Sequence, residues 1–199
     1  INLKPEIEVG NTGVVAMIQG EHHTKNDSVI GLRADLDALP ILEENNIPYK
    51  SKFDGIMHAC GHDAHTSILL GAAEILYELR NSLPKPIKLI FQPGEEKNPG
   101  GATYMIKDGV LKNPTVSKMF ALHVFPDMEV GNVGFKEGVY MASCDEIYIT
   151  IKGKGGHAAI PNECINPIII GANIIQSTKE IITKKCNPKT PCILSFGHF

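Results

Sequence analysis

The sequence predicts an α/β fold in which helices flank a mixed, mostly parallel β-sheet. Three features predict it: continuous apolar runs of strand length, a long stretch with apolar residues at helical spacing, and the alternation of the two along the chain. Near residue 138 the pattern changes to alternating polar and apolar residues. We therefore predict a larger domain over 1–138 and a smaller α+β domain over 139–199.

The individual elements follow in chain order. Apolar runs predict buried strands over 12–18, 29–32, 87–91 and 118–122. A polar turn between the first two strands predicts that they form a hairpin. Helical spacing predicts helices over 63–79, 100–107 and 165–184. Asp63 suits the N-cap or the positive dipole end of the first helix. The segments 145–152 and 191–196 predict strands of the smaller domain.

Composition excludes several classes of protein. The chain has 199 residues, of which 43% are hydrophobic and 21% are charged, and this excludes a disordered chain. Lys and Arg number 19 against 22 Asp and Glu, so we expect no nucleic-acid or anionic-membrane partner. The longest apolar stretch is interrupted and too short to span a bilayer. Five cysteines without a secretion signal predict a reducing, cytoplasmic location.

Side chains with metal-binding or acid–base chemistry follow the predicted strands or precede the first long helix. In α/β sheets, ligands bind at the carboxyl ends of the strands, so we expect these side chains to lie at one edge. They are Asp35 and Asp37, Cys60 and His62, Glu95 and Glu96, and His123.

Each of these groups also has a structural interpretation. The aspartates can cap a turn, the glutamate pair can be solvated, and His123 can be a hydrogen-bonded residue. Together they supply enough ligands for one or two divalent ions. A thiolate disfavours Mg²⁺ and Ca²⁺, and a glutamate beyond the ligand set indicates hydrolysis rather than a closed structural zinc site.

Five motifs in combination resemble the metal-dependent amidohydrolases of the M20 peptidase family. The similarity is greatest to the branch of hippurate hydrolases, auxin-conjugate hydrolases and N-acyl-L-amino acid amidohydrolases. The motifs are RADLDALP, MHACGHDAHT, QPGEE, ALHVFP and GKGGHAAIP. The resemblance implies a catalytic domain over 1–138 and a lid and dimerisation domain over 139–199. Both are expected to be incomplete. The first helices of the catalytic domain would precede Ile1, the chain would end inside the lid, and a final segment with one more histidine ligand would follow Phe199.

The resemblance also implies roles for individual residues. Two divalent ions (Zn, Mn, Co or Ni) would be held by Cys60 as the bridging ligand and by His62, Glu96 and His123. Glu95 would be the general base that acts on the metal-activated water, and His157 of the lid would reach the substrate. Asp35 and Asp37 would support the site from behind the ligands.

The expected activity is hydrolysis of the amide bond of small N-acetyl or N-aroyl amino acids by a homodimer. Two alternatives stay open: a dipeptidase or exopeptidase of the same family, and an inactive metal-binding fragment that acts as an interaction module. Asn162 and Asn166 stand where the family usually has histidine and aspartate. The resemblance therefore does not extend to the pairing or substrate contacts that the lid makes through these two positions.

Overall fold

A computed structural model describes residues 3–187 and 192–199. The described chain divides into two compact units, one ending at Val133 and the other beginning at Gly134. The division after residue 138 and the lid role of 139–199 stay predictions. The elements are β1 Glu6–Val9, β2 Gly13–Ile18, β3 Val29–Asp35, α1 His62–Glu78, β4 Ile87–Gln92, α2 Gly101–Lys107, β5 Val116–Ala121 and α3 Pro167–Lys185.

The first unit is built on a five-stranded sheet in the order β1-β2-β4-β3-β5. β3 runs parallel to both β4 and β5, while β2 runs antiparallel to β1 and β4. The predicted mixed α/β fold is confirmed. The sheet is evenly divided between parallel and antiparallel pairings, so the expectation of a mostly parallel sheet is wrong. The parallel part brings the carboxyl ends of β3, β4 and β5 to one edge.

The predicted hairpin of the second and third strands is wrong, because β4 lies between β2 and β3. All six residues of β4 are buried. A strand whose two faces are both covered gains most from a central place in the sheet, where it also has a hydrogen-bonded neighbour on each side. The polar turn at 20–28 therefore connects two strands that do not pair.

Apolar clusters cover both faces of the sheet. Successive side chains of a strand point to opposite faces, so Ile87, Leu89 and Phe91 of β4 belong to one cluster and Ile90 to the other. One cluster packs against α1 and contains Ala16, Ile18, Ala34, Leu69, Ala73, Ile87, Leu89 and Phe91. The other packs against α2 and contains Val9, Val15, Ile90, Met105 and Val110. The sheet is thereby held between two helices, with its carboxyl edge left for the polar motifs.

Lys88 is a buried cation within β4, with only 4% of its surface exposed. Its ammonium group donates hydrogen bonds to the carbonyl oxygens of Val110, Lys112 and Pro114 at 2.9–3.1 Å. Burial lowers the pKa of Lys88, and the charge of Glu6 acts in the opposite direction. The three bonds attach the segment that leads into β5 to the centre of the sheet.

We expect Lys88→Met to lower the free energy of unfolding by about 1–3 kcal/mol, because it removes the donor from three carbonyl groups, of which that of Val110 is buried. The matched control is Lys118→Met on the exposed face of β5, where surface substitutions change stability by less than about 0.5 kcal/mol. Urea unfolding of wild type and the two variants measures the difference in the free energy of unfolding. Equal midpoints for Lys88→Met and Lys118→Met would contradict the structural role of Lys88.

The second unit contains α3, close to the helix predicted over 165–184. Asn166 is its N-cap, and its side chain accepts a hydrogen bond from the Ile168 N–H. The strand predicted over 145–152 is wrong: Ile147, Tyr148 and Ile149 are exposed, and within 3–187 and 192–199 no strand pairs with them. No strand is found at 192–196 either, and Pro191 lies outside the described residues. Along the described chain, no helix is long and apolar enough to cross a membrane.

Candidate metal centre

The metal-ligand side chains predicted for the first unit come together at the carboxyl edge of the sheet. Asp35 ends β3, Glu95 and Glu96 follow β4, and His123 follows β5. Cys60 and His62 reach the same edge because α1 begins there. The parallel arrangement of these three strands thus places motifs that are distant in sequence around one volume.

In the part of the chain that the structure describes, three overlapping groups of side chains have ligand atoms within 4.8 Å of one another. His62 belongs to all three, so it is the centre of the cluster. The groups are Cys60, His62 and His123; His62, Glu95 and Glu96; and Asp35, His62 and His65.

His62 is almost fully buried and is held in one orientation by a backbone contact. Its Nδ1 donates to the Asp37 carbonyl oxygen at 3.0 Å, which leaves the lone pair on Nε2. Nε2 makes no hydrogen bond, and it lies 3.6 Å from Asp35 Oδ2 and 3.8 Å from Glu96 Oε1. A buried nitrogen lone pair without a donor, close to carboxylate oxygens, fits a bound cation.

Cys60 and His123 form the second part of the cluster, with Cys60 Sγ 3.4 Å from His123 Nε2. His123 Nδ1 donates to the Val124 carbonyl oxygen at 2.7 Å, so its Nε2 also carries a lone pair. Burial raises the pKa of the Cys60 thiol to about 11, and Glu96, Glu95 and Asp35 act in the same direction. Without a cation, Cys60 is therefore a neutral thiol among carboxylates at neutral pH.

Gly61 makes it possible for Cys60 and His62 to face the same volume. Its φ of +85° is a left-handed conformation, which glycine adopts without steric cost. A Cβ at this position would collide with the Val124 side chain. Gly61 is also the N-cap of α1, which has no side-chain cap. Asp63 lies in the first turn, so its predicted capping role is wrong, whereas its place at the positive end of the dipole is confirmed.

Asp37 supports two of the candidate ligands at once. Its carbonyl oxygen accepts from His62, and its carboxylate Oδ2 accepts from the Glu96 N–H at 3.0 Å. Its other carboxylate oxygen is buried, makes no hydrogen bond and lies 3.3 Å from His62 Nδ1. Asp37 thus holds His62 and Glu96 through hydrogen bonds, which fits a supporting role rather than that of a ligand.

Asp35 differs from the other carboxylates because both of its oxygens are engaged by the protein. Oδ1 accepts from His65 at 2.6 Å and Oδ2 accepts from Arg33 at 2.8 Å. Burial raises the pKa of Asp35, but the His65 hydrogen bond and the Arg33 charge outweigh it and hold this pKa below its ordinary value. Asp35 is therefore an ionised group already neutralised by protein donors, which fits a supporting role better than that of a ligand.

His65 and Arg33 are contacts of this site that the sequence interpretation did not assign. The relevant signal for His65 is its spacing: positions 62 and 65 are three residues apart on α1 and so share one face of the helix. Arg33 lies two residues before Asp35 on β3, on the same side of the strand.

His157 belongs to the second unit, whereas the cluster is built from residues of the first. It lies in an exposed segment, where its Nδ1 accepts a hydrogen bond from the Ala159 N–H at 3.1 Å. Its Nε2 consequently carries the proton and can donate it to another group. The site roles of all these residues stay predictions.

A sequence profile described as peptidase family M20/M25/M40 matches residues 31–194, a range that contains all five motifs. The chain belongs to this family. The resemblance drawn from the motifs is confirmed.

Curated relatives of this chain carry the names of enzymes that act on amides. An N-acetylcysteine deacetylase of Bacillus subtilis (strain 168) is 45% identical over 184 residues, which are 92% of this chain and 47% of that protein. An N-acyl-L-amino acid amidohydrolase of Geobacillus stearothermophilus is 40% identical over 188 residues, 94% of this chain and 50% of that protein. The chain thus spans about half the length of these relatives.

This chain is similar in fold to a solved structure from the M20 family. The YXEP protein of Bacillus subtilis, described as a dinuclear metal binding peptidase, is 43% identical with a TM-score of 0.62. The alignment covers 69% of this chain and 37% of that one.

Proposed function

We propose that this protein is a metal-dependent hydrolase that cleaves the amide bond of N-acyl amino acids. The observation that carries the proposal is the pair of histidine Nε2 lone pairs, on His62 and His123, gathered with a thiol and two glutamates at one sheet edge. Relatives named as deacetylases and amidohydrolases, at 40–47% identity, support the same reaction class.

The ligand set fits two divalent cations. Cys60, His62, Glu96 and His123 would hold them, and the unpaired, buried Nε2 of His62 is the atom that most requires a cation. Thiolate and imidazole ligands favour Zn²⁺, Mn²⁺, Co²⁺ or Ni²⁺ over Mg²⁺ or Ca²⁺. Bound ions of this kind polarise a carbonyl group and lower the pKa of water.

Glu95 is the proposed general base. It lies beside Glu96 and within the group that includes His62, yet its side chain is exposed and free to turn toward a substrate. It accepts a proton from the attacking water as the water oxygen bonds to the amide carbon. It returns that proton to the nitrogen as the carbon–nitrogen bond breaks, which yields a carboxylic acid and a free amine; proton transfer between them then gives a carboxylate and an ammonium group.

His157 is the proposed substrate contact of the second unit. Its Nε2–H would donate to the substrate carbonyl or carboxylate, and a donor placed at a developing oxyanion contributes strongly to catalysis. The family resemblance places this residue on a lid and dimerisation domain, so the proposal includes a homodimer formed through 139–199.

A substrate panel tests the reaction class. We expect release of free amino acid from N-acetyl and N-benzoyl amino acids, including N-acetyl-L-cysteine, with kcat/KM well above that for dipeptides of the same residues. A dipeptide preference would instead favour the peptidase alternative. Stoichiometric metal without turnover of either class would contradict hydrolysis and favour the interaction module.

A further inference from the structure

His65 is a buried histidine that no role in the proposed reaction uses. Only 1% of its surface is exposed, and both ring nitrogens have protein partners. Nε2 accepts a hydrogen bond from the Val124 N–H at 2.9 Å, so the ring proton is on Nδ1. Nδ1 donates that proton to Asp35 Oδ1 at 2.6 Å. The two contacts assign one neutral tautomer to His65 and connect α1 to β3 and to the segment after β5.

The segment after β5 carries His123 and has little apolar packing to hold it. Leu122 is 46% exposed and Phe125 is 63% exposed. The hydrogen bond from the Val124 N–H to His65 therefore fixes the backbone immediately after His123. The rings of His65 and His123 also meet edge to face, with centroids 4.6 Å apart.

The other end of this connection is equally fixed. Arg33 donates to Asp35 Oδ2 at 2.8 Å and to Gln92 Oε1 at 3.0 Å, so Asp35 is tied to the last residue of β4. Gln92, Arg33, Asp35, His65 and Val124 form a continuous chain of hydrogen bonds across the carboxyl edge of the sheet.

We propose that His65 is a positioning residue that holds His123 against Cys60 by receiving the Val124 N–H, an inference that rests on the proposed metal-dependent function. The 3.4 Å separation of Cys60 Sγ and His123 Nε2 then follows from a contact that neither residue makes itself. Residues that fix ligands in this way commonly affect metal affinity by about 10–100-fold.

Two substitutions separate the contacts of His65. In His65→Asn the amide nitrogen takes the place of Nδ1 and can still donate to Asp35, but nothing accepts from Val124. In His65→Gln the amide oxygen reaches the place of Nε2 and can accept from Val124, while the donor to Asp35 is lost. The positioning role predicts that the glutamine variant is closer to wild type than the asparagine variant.

The first measurement needs no metal. Amide hydrogen exchange of the metal-free chain is expected to show Val124 protected in wild type and in His65→Gln, and unprotected in His65→Asn. Thermal unfolding of each protein reports whether it is folded. Rapid Val124 exchange in folded wild type would overturn the inference.

The second measurement uses cobalt(II) chloride alone, followed by absorbance. The thiolate-to-cobalt band reports Cys60, and the ligand-field bands report the geometry around the ion. We expect cobalt affinity to fall about 10–100-fold in His65→Asn with altered ligand-field bands, and His65→Gln to restore most of both.

The outcomes separate the two proposals. Equal affinity and identical spectra for wild type and His65→Asn would overturn the positioning role and leave the proposed function standing. An equal loss in the asparagine and glutamine variants would overturn it as well, because a general packing role predicts no rescue. Failure of wild type to bind cobalt would overturn the proposed function and, with it, the role of His65.

Discussion

Replacing Glu95 by glutamine is expected to lower kcat for hydrolysis of N-acetyl amino acids by about 10²–10⁴-fold. The amide keeps the size of the side chain but cannot accept the proton of the attacking water. Glu95 is exposed, three residues beyond the end of β4, so the change leaves the buried contacts of His62 and Asp35 intact. Steady-state kinetics with parallel measurement of metal content checks the expectation.

The matched control for this change is Glu74→Gln, which makes the same substitution on the exposed surface of α1. We expect its kcat to equal that of wild type. If the Glu95→Gln protein has wild-type kcat at full metal loading, Glu95 is not the general base. A Glu95→Gln protein that has lost its metal would instead assign Glu95 to the ligands.

Replacing His62 by glutamine is expected to weaken divalent-metal binding by more than about 100-fold, beyond the 10–100-fold that loss of a supporting hydrogen bond costs. The reason is its central position: His62 belongs to every candidate ligand group found among the described residues. Its loss should therefore affect both ions together rather than one of them. Equilibrium dialysis against zinc, with metal analysis of the retained protein, gives the affinity and the stoichiometry.

His58→Gln is the control for His62, because it removes a histidine of the same motif whose side chain is exposed. We expect full zinc stoichiometry in this variant. Thermal unfolding in the presence of a chelator shows whether the His62 variant folds, since a buried side chain is altered. Retention of two tightly held zinc ions by folded His62→Gln would contradict the proposed centre.

The sequence predicted most of the first unit because its signals are local. The run at 87–91 and the helical spacing over 63–79 each depend on a few adjacent residues, and both elements are present. The pairing of strands is not local. The turn at 20–28 indicated a hairpin, yet β4 lies between the two strands, a place that provides this fully buried strand with a neighbour on each side.

In the second unit, too, the element that depends on a distant partner was predicted wrongly and the local element correctly. The alternation over 145–152 is the pattern of a half-buried strand, but a strand forms only when a neighbour accepts its hydrogen bonds. The helix over Pro167–Lys185 needs no such neighbour, since its backbone bonds are internal, and it was predicted correctly.

At the site, residue types predicted which side chains come together but not how each is oriented. The spacing of Cys60, Gly61 and His62 indicated a bend, which the positive φ of Gly61 provides. No pattern in the sequence indicated that His65 accepts from the backbone at Val124, since that contact joins positions 59 apart in the chain. Such contacts depend on tertiary structure alone.

The insertion of β4 between β2 and β3 has a consequence for the order of events during synthesis. Ile18 pairs with Ile87, so β2 leaves the ribosome long before its partner exists. Pairings of this separation raise the contact order and slow folding. The group of Cys60, His62 and His123 is likewise incomplete until β5 and the residues after it have been synthesised, because His123 follows β5. We therefore expect a nascent chain that stops before β5 to present Cys60 and His62 without this partner.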